Sequence, residues 1–257
     1  TVNTFHQRFP LAGKLETSRV CLSSDTLSFC EQSPLNLEQY DYHALATTSA
    51  GTWWVYPTLS LQQQFALDNR STMMQEVKST VGTSTADVDI FGNILYRTTE
   101  RFNGFMRVQH TEQRQFDVDS ANWWLNKLSS DTRSQQTLWR DTTTAAGITT
   151  GADDSSSTTT TYAYTGNGLT YRLPTQTVQT ASGSTQSLTT NLVYNSHGLP
   201  SSTTHTGQGV SGSGTDYARA VSISYSPDGY FPRTVTNDKG HSTTSVLSSL
   251  HGQPLST

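Results

Sequence analysis

Charge is scarce in this chain: Asp, Glu, Lys and Arg together make up 14% of its 257 residues, and Lys and Arg nowhere form a run. With a formal net charge of -4 there is no electrostatic footprint for a polynucleotide, so nucleic acid is excluded as a partner. No apolar stretch approaches the roughly 20 residues needed to span a bilayer, and no basic-then-apolar leader opens the chain. Cysteine is nearly absent. Cys21 and Cys30 suit a hairpin staple in an oxidising compartment, and equally two separate thiols on neighbouring strands. Neither a C-x-x-C pair nor a Cys/His set supports zinc, so no metal or cofactor is expected. The helix-forming stock of Lys, Glu, Ala and Leu is thin. In its place stand 43 Thr and 33 Ser, close to 30% of the chain, with Tyr, Trp and Gly. Thr and the aromatics favour pleated strands, and Gly, Asn, Ser and Asp favour turns, so the composition predicts an all-β fold.

Three low-complexity patches, Thr142 to Thr150, Asp153 to Thr161 and Gly207 to Gly214, read as exposed loops. Between them, Thr159 to Tyr164, Thr189 to Tyr194 and Ala220 to Tyr225 alternate with period two and each runs into a Gly-bearing turn, which predicts strands. The stretches with helical potential are Leu61 to Lys78 and Asp119 to Leu128.

Laid over one another, the turns form a repeat. Tyr164, Tyr194 and Tyr225 lie 30 and 31 residues apart, and each stands four residues before a glycine, Gly168, Gly198 and Gly229. An apolar or aromatic residue follows each Gly, then Pro174, Pro200 or Pro232, then a Thr/Ser-rich segment. Weaker copies end at Gly252, where Leu247 or Leu250 replaces Tyr, and at Gly92. In this reading Gly supplies a positive φ, the Tyr ring packs on the strand before it, and Pro starts the next strand. A single hairpin cannot bury its own apolar face, so such copies must pair side by side into a continuous sheet.

These residues resemble the RHS/YD-repeat family, in particular the shell-forming B and C components of bacterial Tc insecticidal toxin complexes. Tyr225 to Thr244 is similar to one complete copy, Asp89-Ile-Phe-Gly-Asn-Ile94 to the family's Asp-x-Phe-Gly-Asn-Val turn, and Asn122 to Leu128 to its Trp-x-Leu-Gly-Arg-Leu segment. Asn195 and Ser226 stand where the family has its eponymous Asp, and Asn126 where it has Gly. The resemblance covers residues 85–257 and leaves 1–84 as an unassigned N-terminal β-rich segment. It implies repeated hairpins in a long curved antiparallel sheet, part of a hollow cocoon around an unfolded cytotoxic polypeptide. The partners implied are the rest of a parent RHS polypeptide and its enclosed toxin domain, secreted or at the cell surface. The role implied is containment without catalysis. The chain begins at Thr1 and ends in a strand-like pattern, so it reads as a piece of a longer polypeptide.

Other constellations are weaker. Gly207-Gln-Gly-Val-Ser-Gly212 spells a dinucleotide fingerprint but leads into no helix. The seven histidines show no metal spacing. Asp87 with Asp89, and Asp117 with Asp119, each put two carboxylates on one strand face, as a glycosidase or a cation site would, although turn caps and solvated faces account for them more simply. Trp53-Trp54 and Trp123-Trp124 place one ring on each face of a strand, so an exposed ring of either pair is a candidate for stacking on a sugar. That gives the alternative function, an extracellular carbohydrate-binding or adhesin-like module. Finally, the last strand, around Thr243 to Leu247, has only Lys239 nearby to deter pairing, which predicts edge-to-edge homo-oligomers of the fragment.

Overall fold

The computed structural model describes the chain except residues 47–52, 105, 141–147, 209–216, 249–253 and 257. The all-β expectation holds: fifteen strands join one sheet in chain order, β1 to β15, and every described pairing is antiparallel. The chain falls into two compact units, residues 1–114 with 132–157, and residues 115–131 with 158–257.

The first unit carries β1 (Val2–Phe5), β2 (Leu15–Val20), β3 (Asn36–Ala46), β4 (Trp53–Phe65), β5 (Met73–Thr80), β6 (Tyr96–Phe102) and most of β7 (Met106–Phe116). The expected helix over Leu61 to Lys78 is not there. Gln62 faces Val77 and Gln63 faces Glu76 across a β4–β5 hairpin, which turns where the Thr72 N–H donates to the Asn69 carbonyl. Leu, Gln, Met and Glu favour helix individually, but β3 on one side and β6 on the other supply ladder partners that override that preference. A short helix, α1 (Leu27–Gln32), forms elsewhere, with the Thr26 hydroxyl accepting from the Phe29 N–H as its N-cap. Cys30 on α1 is bonded to Cys21 just after β2, so the staple alternative is the one realised.

Arg70 bonds Asp25 at 2.7 Å and lies 5.1 Å from the centre of the Phe29 ring, fastening the β4–β5 turn to the α1 region. That guanidinium holds the Asp25 carboxyl below its ordinary 3.8, against burial, which works the other way. Because the folded-state value is the lower one, the pair's contribution is complete above pH 3.8 and is lost as pH falls through the folded value. Arg70→Gln should therefore flatten the acid limb of a melting-temperature profile while lowering stability at neutral pH. An acid limb identical to that of the parent chain would show that the pair does not contribute.

The second unit carries the start of β8 (Leu128–Arg140), the end of β9 (Ile148–Ala163), then β10 (Gln176–Ala181), β11 (Ser187–Tyr194), β12 (Pro200–Gln208), β13 (Tyr217–Tyr225), β14 (Pro232–Asn237) and β15 (Ser242–Thr244). β16 (Val246–Leu247) and β17 (Pro254–Ser256) make a separate two-stranded sheet, so the single final strand expected over Thr243 to Leu247 is broken at Ser245. The Asp153 to Thr161 run, expected as a loop, lies in β9, where Thr158 to Thr161 pair with β10. Asp119 to Leu128 is likewise not a helix but a loop closed by an isolated bridge between Asp119 and Trp124. The second helix is the five-residue α2 (Asn167–Tyr171).

No described side chain is fully buried, and the best-buried apolar residues are Cys30, Val81, Val88, Phe102, Trp124 and Tyr194. Val81, Phe102 and Tyr194 lie at or next to the end of a strand, and Val88 and Trp124 lie in loops, each in an isolated bridge. Apolar burial is therefore concentrated at strand ends and in the loops, while the buried residues within strands are the polar Glu76, Asp131 and Thr137.

Candidate functional site

One turn recurs in both units. In Asp89-Ile-Phe-Gly-Asn93, Asn195-Ser-His-Gly-Leu199 and Asn237-Asp-Lys-Gly-His241, the first residue's N–H donates to the fifth residue's carbonyl, and the Gly N–H donates to the first residue's carbonyl. The first side chain's Oδ1 accepts from the N–H groups two and four residues on, at 2.8 to 3.0 Å in all three turns. An Asx side chain thus supplies the acceptor that the bent backbone lacks, and the glycine takes φ of 84°, 76° or 78°. Ser226 to Phe231 is a one-residue-longer version: Ser226 Oγ accepts from Phe231 N–H at 3.1 Å, and Gly229 has φ 80°. The Ser226 hydroxyl also donates to Asp228, which holds that carboxyl below its ordinary range.

Two of the repeat glycines differ from expectation or fall outside view. Gly168 lies inside α2, where an added Cβ would meet Thr175 Cγ2 at 2.5 Å, and the positive φ belongs to Gly166. Room, not backbone conformation, demands glycine there. Gly252 and most of Gly207 to Gly212 lie outside the described residues.

The repeat tyrosines stitch each copy to the one before. The Tyr194 phenol donates to the Pro174 carbonyl at 2.6 Å, Tyr225 to Pro200 at 2.8 Å, and Tyr164 to Leu128 at 2.9 Å. Burial pushes all three phenols above their ordinary 10, so they remain protonated donors through neutral pH. Pro200 and Pro232 each open a strand and pair with Tyr194 and Tyr225 across a register shift. Tyr194→Phe should cost about 1–2 kcal/mol by leaving the Pro174 carbonyl without its donor. Urea unfolding measures this, and an unchanged midpoint would remove the stitch from the account.

A second contact runs between the turns. An added Cβ at Gly198 would meet the Tyr171 ring at 2.9 Å, and one at Gly229 would meet the His197 ring at 2.3 Å. In the first unit the Gly92 turn is covered in the same way by the Trp54 ring at 2.9 Å. Around these rings, the Tyr171 phenol donates to the Ser196 carbonyl, Asn195 Nδ2 donates to the Gly229 carbonyl at 2.9 Å, and His197 packs on Tyr230 with ring centres 4.4 Å apart and planes tilted by 54°. Arg172 reaches back to the carbonyls of Asn122 and Trp123. The turns at residues 119–124, 165–172, 195–199 and 226–231 therefore form one continuous column in the second unit.

Trp123 occupies the glycine position of its turn: its N–H donates to the Ser120 carbonyl and its φ is 54°. Its ring is 74% exposed, whereas Trp124 is 6% exposed and meets Tyr164 edge-on at 5.0 Å. This pair is thus split between solvent and interior, but in a loop and not, as expected, in a strand. Trp53 and Trp54 are both about half exposed, with Phe9 edge-on to Trp53 at 6.5 Å. A left-handed backbone at a tryptophan is costly, so Trp123→Asn should raise stability by about 1 kcal/mol in a thermal melt. A lower melting temperature would mean that the ring contributes packing.

The acidic pairs serve the turns. Asp89 caps its own turn, Asp87 accepts from Ser84 N–H and Oγ, Asp117 bonds Lys127 Nζ at 2.5 Å, and Asp119 accepts from Asn122. The Asn122 contacts hold Asp119 below the ordinary carboxylate range. Among the described residues no group of three or more His, Cys, Asp or Glu could hold a metal, and no helix is long and apolar enough to cross a membrane.

No family model and no curated protein matches this chain. Among solved structures it is similar to the crystal structure of TcdB2-TccC3 without hypervariable C-terminal region, at 11% identity and a TM-score of 0.52, over 93% of this chain and 16% of that one. It is also similar to that of TcdB2-TccC3-Cdc42, at 12% identity and a TM-score of 0.46, over 95% and 16%. The chain thus spans about a sixth of the length of those it matches. At such identities the likeness is one of fold, and the fold is RHS/Tc-like.

Proposed function

We propose that this chain is a non-catalytic wall segment of an RHS-type shell that encloses a cytotoxic polypeptide, with residues 85–257 as its RHS-type repeats and 1–84 as the segment that precedes them. The observation that carries this reading is the stitched column. Each repeat offers the next a carbonyl for its tyrosine and a ring for its glycine, so the sheet extends by addition without needing a second layer to cover it. The RHS/Tc-like fold supports the same reading, and the Cys21–Cys30 disulfide fits a secreted or surface setting. The partners are then the rest of the parent polypeptide and its enclosed domain. Limited proteolysis of the full polypeptide that contains this chain tests it. The cargo should survive while the shell is intact and be digested once Trp124→Ala loosens the wall. Cargo cut at equal rates in both would overturn the proposal.

The displayed ring of Trp123 favours a second reading, a glycan-stacking site on the rim. Glycan-array binding lost in Trp123→Asn, whose fold is retained, would establish it, and a blank array would dismiss it.

A further inference from the structure

The crossover from β2 to β3 is lightly held by the sheet itself. β2 meets β3 over four positions, whereas β3 meets β4 over eleven. α1 fills that crossover, and its six residues are too few for a helix to persist in water by itself. Cys30 is the one buried residue in α1, while Leu27 and Phe29 are exposed. Apolar packing therefore does little to dock α1.

Two tethers hold it instead. One is the bond from Cys30 to Cys21, just past the end of β2. The other is the Arg70 guanidinium, which donates to Asp25 Oδ2 at 2.7 Å, to Asp25 Oδ1 at 3.3 Å and to the Ser33 carbonyl at 3.1 Å. Asp25 and Ser33 bracket Cys30, so both tethers close on the same docked arrangement of residues 21–33. Two ties on a single docking equilibrium are linked: whatever Arg70 contributes to the docked state also favours the disulfide, and the disulfide favours the Arg70 contacts by the same factor.

We propose that Cys21–Cys30 is a redox latch: a dithiol reductant opens it in the folded chain, α1 undocks and the β2–β3 junction loosens. Arg70 is the positioning residue that sets how firmly the latch closes. The two cysteines differ in access, since Cys30 is 4% exposed and Cys21 is only half-buried. A thiolate of the reductant therefore attacks Cys21 Sγ, the S–S bond breaks, and Cys30 leaves as a thiolate that takes up a proton. The reductant's second thiol then attacks the mixed disulfide and releases Cys21 as a thiol. Two electrons and two protons pass to the protein, and the reductant closes to its own disulfide. Because Arg70 still holds both flanks of Cys30, the thiols stay close and the latch recloses in an oxidising medium.

Hydrogen–deuterium exchange on the intact chain, before and after reduction with dithiothreitol, tests the latch. Once the bond is reduced, amides of residues 15–35 should exchange at least about tenfold faster, while those of β11 and β12 keep their rates. Cys21→Ser combined with Cys30→Ser should reproduce that pattern without any reductant. In a glutathione redox buffer, Arg70→Gln should shift the dithiol–disulfide equilibrium about tenfold toward the thiols, which a salt bridge not linked to the bond would leave in place. Reduction only on global unfolding, faster exchange spread over every strand, equal protection of residues 15–35 in both states, or an unmoved redox equilibrium in Arg70→Gln would each overturn it. The latch acts whatever the sheet encloses, so such a result leaves the shell reading to be tested by protease protection.

Discussion

Gly229→Val is expected to destabilise the chain by about 3 kcal/mol, lowering its melting temperature by roughly 6–12 °C. Two costs combine. A β-branched residue at φ 80° is strained by about 1–3 kcal/mol, and its Cβ would displace the His197 ring, which stands 2.3 Å from that position and packs at a tilt against Tyr230. Gly240→Val is the control: its φ is 78°, but no atom lies within 4 Å of an added Cβ, so it should pay the strain alone. The difference between the two variants measures the contact between turns. His197→Ala in the Gly229→Val background should recover most of that difference, as a double-mutant cycle resolves. Equal losses at Gly229 and Gly240 would mean that the turns do not lean on one another.

Trp124→Ala should cost about 3–5 kcal/mol in urea unfolding. Trp124 is among the few well-buried rings, it supports Tyr164 edge-on, and Lys127 Nζ stands 5.5 Å from its ring centre. Its backbone also exchanges both hydrogen bonds with Asp119. Removing the ring opens a cavity beneath the tyrosine that bonds Leu128, so one truncation loosens the first stitch of the column. Trp123→Ala, one residue away and in solvent, should cost nothing comparable. A loss below about 1 kcal/mol for Trp124→Ala would show that burial at the turns does not hold this fold together.

The turns around Tyr194, Gly198 and Pro200 and around Tyr225, Gly229 and Pro232 were legible because their signals are local and recur at a nearly fixed interval, whereas the copy at Tyr164 departs from it, with Gly168 inside α2 and β10 opening only at Gln176. The contacts between copies were not legible. His197 and Gly229 are 32 residues apart, and nothing in either turn alone tells that one covers the other. The Asx cap left a short-range signal, Asn or Asp three residues before Gly, which adds Asn237 to Gly240 to the set of turns. Trp123 hid its kinship with those turns because it stands where they have glycine. Secondary structure failed where neighbours outweighed local preference. Leu61 to Lys78 is rich in helix formers yet is paired on both sides, and the polar run at Asp153 to Thr161 lacks apolar alternation yet β10 supplies it with a ladder. α1 is too short to show a period, and its Thr26 cap was the one available sign.

Electron cryo-microscopy of the full polypeptide that carries this chain tests the central claim most directly. The account predicts that β1 to β15 form a stretch of wall continuous with further hairpins, with one sheet face turned to an enclosed volume holding weak density for an unfolded chain. A sheet with both faces open to bulk solvent and no enclosed volume would contradict it.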